Sequence, residues 1–381
     1  MVKDLVKELI EKYKINLAKK YQKQVIFSDK RLSKINGYAL SKEQITEINE
    51  YYKLYYGESI DCISHLTYTA YSGIFDVKYF PEYLYIPEFE YFMNPYMYYN
   101  KAFYDKNVTS ILANNLKIYT PLTLFKCIKG LITDSENRIL NNRDFINEMS
   151  SIGECFVKET TDTGGGSGCF LANFQNGIDI KTGVKVEDFI IKLGNDFVIQ
   201  DRLKCHNSIS KIYPNSVNTF RILTYRWRNS IIAIPAIMRI GQGGNYIDNA
   251  SKGGMFVSVN ENGLLGKTAL TESGISFLYH PDTNIKFENY EIPLFEDVRK
   301  AAINLHTSIP QVGVVNWDFT IDESGNPVLI EGNMCLGGIW VFQMAHGKGA
   351  FGENTSEILE WIKLMKKTPV SKRSGMLYGN Y

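Results

Sequence analysis

Cysteine is scarce in this chain and never paired. The six cysteines (Cys62, Cys127, Cys155, Cys169, Cys205 and Cys335) are spread over 381 residues without one C-x-x-C spacing. That excludes the usual structural zinc spacings and a disulfide scaffold, and it suits reduced thiols in a cytoplasmic setting. Net charge is nearly absent as well: 42 basic against 41 acidic residues leave +1. A chain so balanced carries no global basic field, so nucleic acid is not an expected partner. No apolar run approaches the roughly 20 residues of a membrane span, so no transmembrane segment is expected. The opening, MVKDLVKELIEKYK, is amphipathic and charged rather than the apolar core of a signal peptide. There is no internal repeat and no low-complexity linker.

Aromatics are plentiful, with 25 Tyr and 21 Phe, and 44% apolar against 22% charged residues is a globular composition. A chain of this length buries a real core and holds two or three domains. Leu5, Val6, Leu9, Ile10 and Tyr13 recur at helical spacing, which predicts a helix to about residue 24 packed on the core by that stripe. Its lysine-rich face makes a loose membrane-surface or partner contact the minority reading. A second helix is expected from Ser41, with Gln44 completing a capping box, through Tyr55, ended by Gly57. Residues 79–104 are dense in aromatics, and Pro81, Pro87 and Pro95 are expected to break them into short extended pieces forming core wall. A helix should start at Asp105-Lys106-Asn107, with Asn107 or Thr109 as caps. The tail, KKTPVSKRSGMLYGNY, reads as poorly tied down.

The segment with the most chemistry is Val314–Asn333, VVNWDFTIDESGNPVLIEGN. It reads as two strands joined at Glu323-Ser324-Gly325-Asn326. With Asp322 opposite Pro327, the antiparallel register sets Asp318 opposite Glu331, and Asn333 shares their face. Carboxylates held that close repel unless a cation sits between them. Two acids and an amide suit a hard ion such as Mg²⁺, which also favours phosphate oxygens. An ordinary hairpin with a polar face is the plain alternative.

Glu154–Gly168 (ECFVKETTDTGGGSG) predicts a strand carrying Lys158 and then a glycine-rich loop, Gly164, Gly165, Gly166, Ser167 and Gly168. Such a loop turns backbone N–H groups toward phosphate oxygens. It is not a P-loop, because no G-K-[ST] closes it, and the spacing fails the dinucleotide fingerprint. In FVIQDRLKC a strand ends at polar residues. Asp201 there is a candidate for ribose hydroxyls, and the backbone of Gln200 to Leu203 for an adenine base. NTFRILT and AIPAIMRI predict neighbouring strands, each with one arginine, Arg221 and Arg239, in apolar surroundings. Those cations need partners, either an anionic ligand or a core acid. Asp248-Asn249 and His280 sit in polar turns.

The order of these pieces (lysine, strand lysine, glycine loop, hinge, arginine strands, D…E-x-N) resembles the ATP-grasp superfamily. The strings NTFRI, MRIG, DN…KGG, HPDT, WDFTID and IEGN resemble its sugar-transfer-associated family of bacterial surface-polysaccharide clusters, over roughly residues 100–345. The resemblance implies an α+β ATP-grasp fold: two α+β subdomains clasping ATP between antiparallel sheets, after a helical, aromatic-rich N-terminal segment. The divisions expected are 1–104, a lid subdomain 105–203, a catalytic subdomain 204–365 and a flexible tail 366–381. It further implies Lys106 and Lys158 as phosphate lysines, Gly164–Gly168 as the mobile loop, and Gln200, Asp201 and Leu203 at the adenine–ribose hinge. Arg239 would meet the transferring phosphate, with Lys158 and Arg221 beside it in catalysis, and Asp318, Glu331 and Asn333 would be the Mg²⁺ ligands. Arg221, Asp248, Asn249 and His280 are the candidates to grip the substrate. The hinge acid here is Asp201, where a longer glutamate is usual.

The implied activity is an ATP-dependent carboxylate–amine ligase working through an acyl phosphate, with small-molecule or glycan carboxylate and amine substrates, decorating a surface polysaccharide or its precursor. The alternatives are an ATP-grasp kinase acting on a sugar hydroxyl and a nucleotide-gated scaffold without turnover.

Overall fold

Period-two alternation of apolar residues builds two purely antiparallel sheets. The computed structural model describes residues 2–26, 31, 34–160, 168–309 and 311–380. The first sheet takes β1 (Thr123–Ile128), β2 (Leu131–Asp134), β3 (Ile139–Leu140), β4 (Gly153–Glu159), β5 (Cys169–Gln175), β6 (Ile178–Asp179) and β7 (Phe197–Asp201), in the order β3-β2-β1-β7-β4-β5-β6. One face of it, Phe125, Cys127, Cys155, Val157, Phe174, Phe197 and Ile199, closes on the helices Asn142–Met149 and Val186–Leu193 in a small core.

The second sheet takes β8 (Thr219–Trp227), β9 (Ser230–Ala233), β10 (Ile237–Ile240), β11 (Met255–Ser258), β12 (Ala269–Thr271), β13 (Ser276–Phe277), β14 (Val314–Ile321) and β15 (Pro327–Asn333). Its order is β13-β12-β11-β10-β8-β14-β15, with β9 paired to β8. Phe220, Ile222, Met238, Ile240, Trp317 and Phe319 point to the helix Phe295–Ser308. On the opposite face, Leu223, Tyr225, Ile237, Phe256 and Val314 pack under the N-terminal helices and the helix Thr355–Lys367. Only part of that second face is covered, and the rest looks toward the first sheet.

Two short connections tie the first sheet to the β14–β15 hairpin. Leu329 N–H donates to Tyr119 O at 2.8 Å on the way in, and His206 N–H donates to Ile321 O at 2.8 Å on the way out. The expected lid and catalytic parts thus meet at one edge, beside the polar hairpin.

The capping box is present: Ser41 Oγ accepts from Gln44 N–H at 3.2 Å, and Gln44 Oε1 accepts from Ser41 N–H at 2.9 Å. Four expectations need correction. Residues 82–93 are helical, not extended. Pro87 has no N–H to give to the preceding turn, and the chain widens there into a π-helix, Tyr85–Glu90, between short α-turns. The helix Lys106–Asn115 is capped by Asp105, which accepts from Asn107 N–H at 2.8 Å, rather than by Asn107 or Thr109. The tail is held: Arg373 is buried, Trp361 Nε1 donates to Met376 O at 2.7 Å, and Arg228 N–H donates to Tyr378 O at 2.6 Å.

The first helix, Val2–Ile26, presents the other face to the core. Glu11 is buried against Arg373, accepting from Nη1 at 2.6 and 2.7 Å, and Lys19 pairs with buried Glu88 at 2.6 Å. Val6, Leu9, Ile10 and Tyr13, expected inside, are exposed; the side chain of Leu5 lies outside the described residues.

Candidate functional site

Strand register determines which side chains share a face. In the larger sheet Glu331 lies opposite Asp318, Asp318 opposite Arg221, and Arg239 opposite Thr219, two residues before Arg221. Directly opposed residues point the same way, so Glu331, Asp318, Arg221, Thr219 and Arg239 form one polar field, and Asn333 joins it two residues past Glu331. The turn-side register differs from expectation by one residue: Ile321, not Asp322, pairs with Pro327. A bulge between Asp318 and Phe319 leaves Ile330 unpaired and restores the Asp318–Glu331 match. Asp322 instead accepts from the N–H groups of Ser324 and Asn326, at 2.9 and 2.8 Å, and caps the turn.

The smaller sheet answers with its second face. Lys158 lies opposite Val198 and Cys169, while Phe156 lies opposite Gln200 and Leu171. These side chains alternate with the buried set of Cys155 and Val157, so they face the larger sheet. Between the two faces is a cleft of about 680 Å³. Lys106, Lys158, Gln200, Asp201, Leu203, Arg221, Arg239, Asp248, Asn249, Glu331 and Asn333, all marked in the sequence, line it.

The chemistry of the cleft is chiefly basic. Lys106 Nζ donates to Glu159 O at 3.0 Å and lies 3.9 Å from Glu331 Oε1. Lys158 is buried, and among the described residues no carboxylate lies within ion-pair distance of its ammonium. Burial lowers its pKa, with Lys106 pushing the same way and Cys169 and Glu331 opposing. Arg239 is buried, with Nε and Nη2 on Thr219 Oγ1 at 3.0 and 2.8 Å and Nη2 3.4 Å from Asp248 and 3.2 Å from Asp318. Asp248 also accepts from Thr219 N–H at 3.1 Å. At the far end Pro121, Phe156, Leu171 and Leu203 make an apolar slot beside Gln200, whose Nε2 reaches Pro121 O at 3.4 Å.

A family model, sugar-transfer associated ATP-grasp, matches residues 86–358. The chain belongs to that family. Solved structures give loose likenesses. D-alanyl-alanine synthetase A from Vibrio cholerae O1 biovar eltor is 13% identical, over 69% of this chain and 64% of that one, at a TM-score of 0.39. The D-Ala:D-Ser ligase of Enterococcus faecalis is 12% identical, over 70% and 62%, at 0.39. N5-carboxyaminoimidazole synthetase from Staphylococcus aureus, complexed with ADP, is 12% identical, over 62% and 46%, at 0.34. The matched part spans under half the length of the N5-carboxyaminoimidazole ribonucleotide synthetases. No curated protein matches the chain in sequence.

Two of the marked positions, Asp318 and His280, lie outside the lining of the cleft in this ATP-grasp chain. Asp318 does not line the cleft; it is buried behind the arginines, with Oδ1 and Oδ2 on Arg221 Nε and Nη2 at 2.9 and 2.8 Å and Asn333 Nδ2 at 3.4 Å. Burial raises the Asp318 carboxyl pKa, but Arg221 and Arg239 outweigh it and hold the value below the ordinary range. His280 is buried outside the cleft, with Nε2 on Gly241 O at 2.9 Å and Nδ1 accepting from Asp282 N–H at 3.2 Å. Both ring nitrogens are thus satisfied in the neutral form, which burial favours. Gly164 to Ser167 lie outside the described residues; Gly168, at φ +67°, holds the base of that turn, its C=O accepting from Glu159 N–H at 3.1 Å.

Other cleft residues were not marked. Thr219 precedes Arg221 by two on a strand, and that period of two puts both on one face. Arg202, whose Nη1 donates to both carboxylate oxygens of Glu154 at 2.9 and 2.8 Å, carries no sequence signal of a partner 48 positions away. The loop Cys335–Gly338 enters the cleft because buried Glu90 accepts from Leu336 N–H at 2.7 Å and Gly337 N–H at 3.2 Å, and Glu82 accepts from Ile339 N–H at 3.2 Å.

Proposed function

We propose that this chain is an ATP-dependent carboxylate–amine ligase that activates a carboxylate as an acyl phosphate. The observation that carries the reading is the two facing sheets: Lys106, Lys158, Arg221 and Arg239 converge on one cleft with Glu331 and Asn333, beside an apolar slot. The slot at Phe156, Leu171, Gln200 and Leu203 takes the nucleotide base, and Asp201 the ribose. Lys106 and Lys158 take the phosphates.

The donor set fits a magnesium ion in its usual protein setting, one or two carboxylates completed by phosphate oxygens and water. Glu331 and the Asn333 amide oxygen are the groups on offer in the cleft, with Asp318 behind them. When bound, the ion neutralises phosphate charge during transfer. The chain's own residues do the rest. Arg239 and Arg221 are fixed on Thr219 and Asp318, and among the described residues Nη1 of neither is engaged, so two forks are pre-oriented toward an anionic acceptor. The acceptor carboxylate attacks the γ-phosphorus and ADP leaves. An amine then attacks the acyl carbon, phosphate leaves, and the amine gives up a proton to form the amide. Arginine forks favour a carboxylate acceptor. A hydroxyl acceptor needs a base, and Asp248 is committed to Thr219 and Arg239.

The carboxylate we infer belongs to a sugar acid or amino acid used to decorate a surface polysaccharide or its precursor. The test is an ADP-release screen over paired carboxylates and amines, with mass analysis of the product. An amide with ADP and free phosphate supports the reading; a phosphate ester, or no ADP with any pair, overturns it.

A further inference from the structure

Helix Val2–Ile26 buries its more polar face and leaves a long apolar stripe uncovered. Val6, Leu9, Ile10, Tyr13, Leu17 and Tyr21 recur every three or four residues, and so lie along one side. Leu9 is 59% exposed, Tyr13 69% and Tyr21 62%. The opposite side holds the helix down through Glu11 on Arg373, Lys19 on Glu88, and Ile15 and Ile26 in the core. The stripe therefore cannot be turned inward without breaking two ion pairs whose acids are buried.

The charge beside the stripe is of one sign. On a helix of 100° per residue, Lys7 and Lys14 fall along one edge, Lys12 beyond the other, and Lys20 just inside that second edge, between Leu9 and Tyr13, all exposed. The described acids, Glu8 and Glu11, fall on the inward side. A second copy laid against this stripe, parallel or antiparallel, would oppose lysine rims to lysine rims. An apolar band carrying two tyrosines between lysines is instead complementary to a surface that is apolar inside and anionic at its rim.

We propose that this helix seats the protein on an anionic lipid surface, lying in the headgroup plane with the stripe down. It does not cross: among the described residues no helix is long and apolar enough to span a membrane. The inference rests on no reading of the cleft.

The test is co-sedimentation of the full chain with vesicles of phosphatidylcholine alone and of equimolar phosphatidylcholine and phosphatidylglycerol. Binding is expected to the anionic vesicles only, and to be lost when salt is raised from about 0.1 to about 1 M. Leu9→Glu with Leu17→Glu should weaken it by roughly tenfold or more, with an unchanged unfolding midpoint because both sites are exposed. Lys7→Glu, Lys14→Glu and Lys20→Glu together should do the same. Absence of binding to either vesicle, equal binding to both, or full binding by the leucine variant overturns the proposal. So does a concentration-dependent dimer that the leucine variant splits, which would assign the stripe to a second copy.

Discussion

Asp318 takes both ends of the Arg221 fork, Nε at 2.9 Å and Nη2 at 2.8 Å, while Arg239 Nη2 stands 3.2 Å from the same carboxylate. The close approach of Asp318 and Glu331 on adjoining strands calls for a cation, and in the fold two guanidinium groups supply it. Asp318 is fully buried and Arg239 nearly so, so Asp318→Asn would strand positive charge in a low-dielectric site. Breaking such a buried pair costs about 3–5 kcal/mol. We expect that loss in urea unfolding, of equal size with and without chelator. A loss that appears only when Mg²⁺ is available to the wild type would move Asp318 from arginine anchor to metal ligand.

Glu331 makes the opposite prediction. Its side chain is 28% exposed, in the cleft, and among the described residues it pairs with Lys106 at 3.9 Å. Partly exposed pairs of this kind contribute about 0–1 kcal/mol, so Glu331→Gln should leave stability nearly unchanged. What it should remove is the extra thermal stabilisation by ATP with Mg²⁺ over ATP in chelator. Retention of that increment in the variant would show that Glu331 is not a metal ligand. Lys158→Ala should weaken nucleotide binding itself, read by titration with labelled ATP; unchanged affinity would separate Lys158 from the phosphates.

The polar field was legible because strands impose a period of two and pairing imposes a sum rule. Those two constraints put Asp318 opposite Glu331 from the sequence alone, although the turn register was off by one and a bulge at Ile330 made up the difference. Burial was less legible. The first helix carries apolar residues on two sides, and the choice between them rests on Glu88, 69 residues from its partner Lys19, and Arg373, 362 residues from its partner Glu11. The same holds for Glu82 and Glu90. In sequence they are two acids in a tyrosine-rich stretch, and only the tertiary fold sets them under the N–H groups of residues 336–339.

Those two acids make stability depend on pH. Burial pushes Glu82 up to about 7, against Arg31 and the backbone hydrogen bond from Ile339, and Glu90 up to about 8, against backbone hydrogen bonds from Leu336 and Gly337. A carboxyl whose folded pKa is raised holds its proton in the native state and releases it on unfolding. Its contribution is complete below the ordinary value of 4.5 and is lost as pH rises through 7 to 8. Buried His65 and His306, lowered to about 4 and about 3, titrate only below that window. The two acids therefore lower the unfolding free energy from about pH 4.5 up to about pH 8, and since the histidines, at 6.5 when unfolded, oppose them below that value, the net fall should show between about pH 6.5 and about pH 8. Glu82→Gln with Glu90→Gln should flatten that fall while lowering stability at its acid end, where each acid still accepts from the loop. An unaltered slope in urea melts of the double variant would remove the two acids from the account.

Gly337 is where the loop, the sheet and Glu90 meet. A Cβ placed there would collide with Asn316 Nδ2 and stand 2.9 Å from its Cγ, and Asn316 is buried opposite Asn333. Gly337→Ala must push the loop off Glu90 or displace Asn316 beside the polar field. Overpacking of this kind costs about 1–3 kcal/mol, and ADP release should fall with it because the loop lines the cleft. Gly375 is the control: nothing lies within 4 Å of its would-be Cβ and its backbone is not left-handed, so Gly375→Ala should be neutral or slightly stabilising. Melting curves and turnover of the two variants, measured side by side, separate a general glycine effect from the close approach at Asn316. Equal behaviour of the two would show that the loop has slack the packing does not reveal.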